Sequence, residues 1–178
     1  MPCKSACVRS AVPAVPGYPA ALRPFFGRQP WQSTINAVAL DPTQWPVFVK
    51  PVHSTKKFTG VLVRSLRDLP GCGDQLEDTL VWCAEPVQFV AEWRCFMRYG
   101  QVLDVRPYKG DWHHYFDPKV LEQALAAYLP EAPVAFSLDV GRTATETTLV
   151  VEVNDGYSLG AYGSMPLLYA KFLSARWA

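Results

Sequence analysis

Short runs that are apolar, or in which apolar and polar residues alternate, recur along most of the chain, and both patterns are typical of β-strands. The runs that predict strands cover residues 47–50, 61–63, 79–84, 92–99, 102–106, 134–140 and 148–153. Gly100 and Gln101 separate two of these runs and predict a hairpin turn between them. Most of the chain is therefore expected to form antiparallel sheets.

Apolar residues at helical spacing are confined to a few segments. Residues 31–40 favour a short helix that ends before Pro42. Asp117 and Pro118 predict the start of a second helix, because aspartate caps helix N-termini and proline suits the first helical position. A final helix is expected from about Ser164. Strands, helix, strands and helix in this order predict an α+β fold with antiparallel sheets.

Composition narrows the class of protein. A chain of 178 residues with 49% hydrophobic content and a net charge of +1 suits one compact unit or two small lobes around a cleft. The near-neutral charge argues against a nucleic-acid partner, which usually requires a basic excess. No apolar run approaches the ~18 residues of a membrane span, so we expect no membrane association and a cytoplasmic location.

The odd number of cysteines gives no disulfide framework. Residues 1–30 are rich in proline and alanine and favour irregular structure.

The last predicted hairpin carries acidic and amide side chains in alternation. Asp139 lies in its first strand, and Glu152 and Asn154 lie in its second. If residues 144–147 form the turn, five residues on each side bring Asp139 opposite Glu152, with β-carbons about 5 Å apart. Facing carboxylates repel unless a cation lies between them, and carboxylate and amide oxygens suit Mg²⁺. The alternative is a solvated sheet face followed by an ordinary turn.

Three lysines lie near the end of an earlier strand. Lys50 ends the strand, and Lys56 and Lys57 follow in a polar loop. Such lysines can hold phosphate groups as point charges. The segment lacks the glycine spacing of a Walker P-loop, and the alternative is that these side chains are simply solvated.

A second polar segment follows the strand at 79–84. Glu85, Pro86 and Val87 indicate a hinge whose backbone is able to bind an adenine edge, and Glu92 offers two oxygens to ribose hydroxyls. The alternative for both glutamates is a solvated strand face.

The order of these elements resembles the ATP-grasp family. The resemblance rests on Lys50 at the strand end, the loop at 53–60, the hinge at 85–87, Glu92, Asp139 and the Glu152–Asn154 pair, and it covers residues 46–165. The stretch that holds Arg94, Arg106 and Lys109 is similar to the stand-alone branch named for two arginines and a lysine.

The resemblance implies an ATP-grasp-like unit over residues 31–178, with a first lobe at about 46–84 and a second at 85–178. It also implies a ligase that joins a carboxylate to an amine or similar nucleophile through an acyl phosphate, with ATP and Mg²⁺ as cofactors. Its site residues would divide by role: Asp139, Glu152 and Asn154 for Mg²⁺; Lys50, Lys56, Lys57, Glu85, Pro86, Val87 and Glu92 for ATP; and Arg94, Arg106, Lys109 and Arg142 for the acid and the transferred phosphoryl group.

Members of this family usually carry a further domain before the ATP-binding lobes, whereas fewer than fifty residues precede Lys50 here. We therefore expect the substrate half of the cleft to be missing, minimal, or completed by a homo-oligomer or partner chain. The substrate would be a small carboxylate, such as an amino acid or peptide. The alternatives are an ATP-binding module without ligase activity and a non-enzymatic interaction protein.

Overall fold

Two four-stranded antiparallel sheets make up the framework of the protein. The computed structural model describes residues 17–52, 58–73, 78–157 and 159–177, and it confirms the predicted α+β fold with a small sheet in each lobe. Residues from both sheets line the cleft between them.

The first sheet contains β1 (Trp31–Thr34), β2 (Val47–Pro51), β3 (Val61–Val63) and β4 (Leu80–Ala84), in the order β1-β4-β2-β3. Alternation in β2 separates its two faces. Val47 and Val49 are buried in a core with α1 (Ile35–Leu40), whereas Phe48 and Lys50 line the cleft.

The second sheet contains β5 (Phe89–Arg98), β6 (Gln101–Lys109), β7 (Ala135–Thr143) and β8 (Thr148–Asp155), in the order β6-β5-β7-β8. One face packs its apolar side chains against α2 (Pro118–Tyr128). On the other face, α3 (Pro166–Trp177) covers the end near Phe96 and Ala135. The other end of that face carries charged side chains and forms one wall of the cleft.

Residues 31–40 are not one helix. The first four form β1, which pairs with residues Leu80–Cys83 of β4, and only then does Thr34 cap α1 by accepting a hydrogen bond from the Ala37 amide. The pairing partner of β1 is distant along the chain, so local spacing could not reveal it. The predicted start of α2 is confirmed, because the Asp117 side chain accepts a hydrogen bond from the Lys119 amide.

Residues 17–30, which we call the strap, precede the first sheet but pack on the second. The strap contains a short 3-10 helix at Ala20–Phe25, and its Leu22 and Phe26 are fully buried in the core beneath the second sheet. At its N-terminal end, the Gly17 carbonyl accepts a hydrogen bond from the Val153 amide of β8.

Candidate functional site

A row of charged residues crosses the second sheet at the cleft. Arg106, Arg94, Asp139 and Glu152 occupy paired positions on four adjacent strands, in that order. The predicted alignment of Asp139 with Glu152 is thus confirmed. The row thus holds two pairs of like-charged neighbours, Arg106 with Arg94 and Asp139 with Glu152, so the partners of each side chain decide the electrostatics of the site.

The route to that alignment differs from the predicted one. Near the turn, Arg142 pairs with Thr148 and Val140 pairs with Val150, one residue out of the expected register. Val151 is then an extra residue, and this β-bulge restores the pairing of Asp139 with Glu152. The assumed five-plus-five spacing was wrong, but the bulge compensates for the error.

Asp139 is held by Arg94. The Arg94 Nε and Nη2 atoms donate to the two Asp139 carboxylate oxygens at 2.9 Å and 2.7 Å, and both side chains are buried. Burial raises the pKa of Asp139 to about 6 against the opposing effect of Arg94, and the nearby Glu152 and Glu92 raise it further. Two sequence predictions, a metal ligand and a substrate-binding arginine, therefore meet in one ion pair.

Glu152 is held from the other lobe. Lys50 Nζ, on the first sheet, donates to Glu152 Oε2 at 2.8 Å, and Asn154 Nδ2 donates to Glu152 Oε1 at 2.9 Å. Burial opposes ionisation of Glu152, but the Lys50 ammonium and the two hydrogen bonds outweigh it and lower the carboxyl pKa. Lys50 and Glu152 remain partly exposed, at 14% and 28% of their side-chain areas, so water reaches this pair.

A third ion pair lies beside these two. Lys109 Nζ donates to Glu92 Oε1 at 2.6 Å, and the Tyr108 hydroxyl donates to Glu92 Oε2 at 2.7 Å. Burial, together with the negative charges of Asp139 and Glu92, raises the pKa of Tyr108, so the phenol stays protonated and remains a donor. Both Glu92 oxygens that were predicted to receive ribose hydroxyls are engaged in this way.

The remaining two arginines differ in position. Arg106 Nε donates to Asp104 Oδ2 at 2.8 Å on its own strand, with the guanidinium still about one-third exposed. Arg142 lies three residues along β7 from Asp139 and therefore projects from the opposite face. It pairs with Glu146 of the hairpin turn at 3.4 Å, so the structure does not bring Arg142 to the charged row.

Two cavities occupy the cleft. A hinge-side cavity of about 260 Å³ is bordered by the three predicted hinge residues Glu85, Pro86 and Val87 and by Glu92. A loop-side cavity of about 370 Å³ is bordered by Lys50, Asn154 and residues 58–60. Glu152 lines both cavities, so they meet at this carboxylate. Lys56 and Lys57, as well as Cys3 and Cys7, lie outside the described residues.

Several residues that line the cavities were not predicted from the sequence. Phe48 and Leu62 face the hinge-side cavity from the first sheet, and their alternation with buried valines was a usable signal. Tyr18 and Arg28 reach the same cavity from the strap, for which no local pattern exists. Val151 also lines it, although its alternation with Glu152 in the sequence predicted the opposite face.

Tyr162 covers the buried arginine. Its ring stacks on Tyr108 with centroids 4.8 Å apart, and the Arg94 guanidinium lies 4.9 Å from the Tyr162 centroid. This cation–π contact, together with Asp139, encloses Arg94 between an aromatic cover and a carboxylate.

Across the described ranges, no three His, Cys, Asp or Glu side chains converge as metal ligands. Asp139 and Glu152 would need Asn154 and oxygens from outside the chain to complete a metal shell. None of the helices in these ranges combines the length and apolar character that crossing a bilayer requires.

A sequence profile of the ATP-grasp domain matches residues 25–172, most of the chain, and it describes family 2 of the clade named for two arginines and a lysine. The chain belongs to the ATP-grasp family. This confirms the resemblance noted from the lysine, hinge and arginine motifs. No protein with a curated function matches the sequence.

Solved structures of ATP-grasp enzymes share the fold. A D-alanine–D-alanine ligase from Bacillus anthracis complexed with ATP is 18% identical, with a TM-score of 0.56, over 87% of this chain and 62% of the ligase. An N5-carboxyaminoimidazole synthetase from Staphylococcus aureus complexed with ADP is 11% identical, with a TM-score of 0.57, over 81% and 46%.

A macrocyclase, MdnC, from Microcystis aeruginosa MRC bound with the precursor peptide MdnA is 16% identical, with a TM-score of 0.50, over 82% of this chain and 53% of the macrocyclase. At these identities the likeness shows the fold alone. The chain spans about half to three-fifths of the length of these three neighbours.

Proposed function

We propose that this ATP-grasp protein binds Mg-ATP in the cleft and acts as an ATP-dependent ligase that joins a carboxylate to an amine or similar nucleophile. The observation that carries the proposal is the position of Glu152. It lines both cavities, it faces Asp139 across the sheet, and it contacts Lys50 of the other lobe. A nucleotide that extends from one cavity to the other would pass this carboxylate with its phosphates.

The hinge-side cavity suits the base and the ribose. Phe48, Leu62 and Val87 give it apolar walls, and Pro86 and Glu85 place the backbone of the hinge at its edge. Mostly apolar walls with a few polar groups are typical of nucleotide-sized sites. Glu92 at the far side is available to hydroxyl groups if Tyr108 or Lys109 releases one of its oxygens.

The donor set at the meeting point of the cavities suits Mg²⁺. Glu152 and Asn154 supply carboxylate and amide oxygens on one side of β8, and Asp139 lies opposite on the same face. Hard oxygen donors of this kind, with positions left for phosphate and water, are what Mg²⁺ prefers. Bound there, the ion would neutralise phosphate charge. Asp139 joins this set only if Arg94 yields one of its two hydrogen bonds.

The ion pair between Lys50 and Glu152 explains how the free protein tolerates these charges. In the free protein each side chain neutralises the other across the cleft. On nucleotide binding, Lys50 would release Glu152 and turn to the phosphates, which leaves the carboxylate free to ligate a cation. Because both groups are partly exposed to water, separating this ion pair costs little free energy.

Arg106 and Lys109 would orient the acid substrate. Lys109 is about half exposed and Arg106 about one-third exposed, beside the charged row. In the proposed reaction the γ-phosphoryl group passes to a carboxylate oxygen and ADP leaves. The amine nitrogen then attacks the acyl carbon, phosphate departs, and the amine loses a proton to solvent. The chain's residues contribute positioning and charge neutralisation.

An ATP-binding module without ligase activity is the second candidate. It is favoured by the engaged side chains of the cleft, because Arg94 holds both Asp139 oxygens, and Tyr108 and Lys109 hold both Glu92 oxygens. A partner chain or a homo-oligomer that completes the substrate cleft stays a prediction.

A binding experiment tests the nucleotide site. Thermal unfolding would be followed with millimolar ATP, with and without Mg²⁺, for the natural protein, Lys50→Met and the matched control Lys119→Met on exposed α2. A ligand at about 100 times its Kd adds about 2.7 kcal/mol of stability. We expect Mg-ATP to stabilise the natural protein and the control, and Lys50→Met to respond less. No stabilisation of the natural protein by Mg-ATP would contradict the proposal.

A turnover experiment separates the two candidates. Phosphate release would be measured against pooled amino acids and peptides, with the double variant Asp139→Asn, Glu152→Gln as the control. Release that requires both an acid and an amine, and that the double variant lacks, is expected of a ligase. Binding of Mg-ATP without such release favours the module, and release that survives in the double variant contradicts the metal assignment.

A further inference from the structure

The strap lies along the outer edge of β8, and one of its arginines contacts two consecutive carbonyl groups there. Arg28 Nη2 donates to the Val151 carbonyl at 2.8 Å, and Arg28 Nη1 approaches the Val150 carbonyl at 3.4 Å. Nη1 also donates to the Phe26 carbonyl within the strap at 3.1 Å. Among the residues that the structure describes, β8 is the last strand of its sheet, so these carbonyls lie at its outer edge.

These carbonyls belong to the bulge. β7 pairs Val140 with Val150 and Asp139 with Glu152, which leaves Val151 as the extra residue. If the bulge were absent, Val151 would oppose Asp139, and Glu152 would oppose Leu138 in the apolar core. A one-residue change of register moves every side chain to the other face of a sheet. The presence of Glu152 in the cleft therefore depends on this bulge.

The surroundings of Arg28 fix its planar head group. The guanidinium carbon lies 5.5 Å, 5.9 Å and 5.8 Å from the ring centroids of Tyr18, Phe26 and Phe89. Such cation–π contacts, combined with a forked donor group, favour arginine over lysine at this position.

Gly27 allows the strap to come this close to β8. It has a φ of +61°, and a β-carbon built on it would lie 2.6 Å from a methyl carbon of Leu149. The left-handed backbone favours glycine, and a β-carbon here would in addition require the Leu149 side chain to move. The neighbouring Arg28 is thereby held within reach of the bulge.

We propose that Arg28 is a positioning residue of the nucleotide site, which holds the Val151 bulge and thereby sets Glu152 on the cleft face opposite Asp139. One test of this proposal measures ligand affinity and rests on the proposed function. The other measures amide hydrogen exchange and does not, because the bulge is present in the free protein.

The structural readout is amide hydrogen exchange, measured by NMR on the natural protein, Arg28→Met and Arg23→Met. Arg23 is an exposed arginine of the same strap and serves as the matched control. We expect exchange at residues 150–154 to quicken by about tenfold in Arg28→Met, as the edge opens locally, and to stay unchanged in β5. Unchanged exchange at residues 150–154 would overturn the proposal.

Arg28 also lines the hinge-side cavity, so its loss could weaken nucleotide binding simply by removing part of the cavity wall. Ligand affinities separate this effect from the positioning of Glu152. Affinities for adenosine, ATP and Mg-ATP would be compared. Arg28→Met should weaken adenosine binding less than Mg-ATP binding, and should reduce the gain in ATP affinity from Mg²⁺ by about tenfold, or about 1.4 kcal/mol. Arg28→Lys should recover part of it. An equal loss for adenosine and Mg-ATP would show that Arg28 is only a wall.

Gly27→Ala gives the same proposal a second route if Arg28→Met fails to fold. Lifting the strap from Leu149 should reproduce the faster exchange at residues 150–154 while Arg28 itself is retained. If the natural protein fails to bind Mg-ATP, the proposed function fails, whereas the exchange data still decide the role of Arg28.

Discussion

Two ion pairs on the same face of the second sheet contain carboxylates that oppose each other, yet they are built differently. Arg94 and Asp139 lie on neighbouring strands, form two hydrogen bonds and are buried. Lys50 and Glu152 lie on different sheets, form one contact and are partly exposed. The first pair cannot separate without leaving a buried charge, whereas the second can exchange its partners with water or a ligand.

The difference indicates how one row of charges serves both stability and binding. The pair inside the sheet fixes one carboxylate, and the pair across the cleft keeps the other available. Substitutions at the two pairs should therefore differ in their effects on unfolding, and the following predictions run from the largest effect to the smallest.

Arg94→Met should cost about 3–5 kcal/mol of unfolding free energy, because it leaves the Asp139 carboxylate buried without a partner. Urea unfolding measures the loss. Arg176→Met is the matched control, since Arg176 also forms two hydrogen bonds, to Asp155, but both side chains are more exposed. Equal costs for the two variants would show that burial is not the reason.

Stability should fall as pH rises through the range set by Asp139. Burial raises the pKa of Asp139 from 3.8 to about 6, so between these values the folded protein holds a proton that the unfolded chain has lost. Stability then decreases with rising pH in this range. Urea unfolding at about pH 4.5 and about pH 6.5 should show this decrease, and Asp139→Asn should reduce it. Equal pH dependence in both proteins would contradict the raised pKa.

Lys50→Met should cost only about 1 kcal/mol or less in the free protein, because a partly exposed pair with one contact is screened by water. Calorimetric unfolding without nucleotide measures it. A cost as large as that of Arg94→Met would mean that Lys50 and Glu152 are part of the framework and not exchangeable.

Tyr162→Leu should cost about 0.5–1 kcal/mol, because it removes the ring over Arg94 while the pair with Asp139 persists. Tyr162→Phe keeps the ring and should cost less. Both replacements share the positive φ of 47°, so backbone strain cancels in the comparison. If Tyr162→Phe lowers the unfolding free energy more than Tyr162→Leu does, the aromatic contact is not the cause of the stabilisation.

The sequence alone predicted those features that depend on local pattern. Short apolar runs and alternation located β2 to β8, and Asp117 marked the start of α2, because strand patterns and helix caps are properties of neighbouring residues. Alternation also placed Asp139 and Glu152 on one face of the sheet.

The features that the sequence did not reveal arise from contacts between distant residues. β1 depends on its pairing with β4, the Val151 bulge on register against β7, and the place of Arg28 on the packing of the strap. Arg94 and Asp139 were each assigned a ligand, yet the structure pairs them with each other, since adjacent strands bring together residues that lie 45 apart in sequence.

Within the described residues, the chain passes between the two sheets twice, once where the strap enters β1 and once at the hinge that leads to β5. The two passages lie side by side, because the Gln29 amide donates to Glu85 Oε2 at 3.0 Å. Two adjacent covalent connections form a hinge, which permits rotation of the lobes about one axis and restrains translation and other rotations. Any opening of the lobes would therefore turn about the line through Gln29 and Glu85, and Glu85→Ala would loosen that axis.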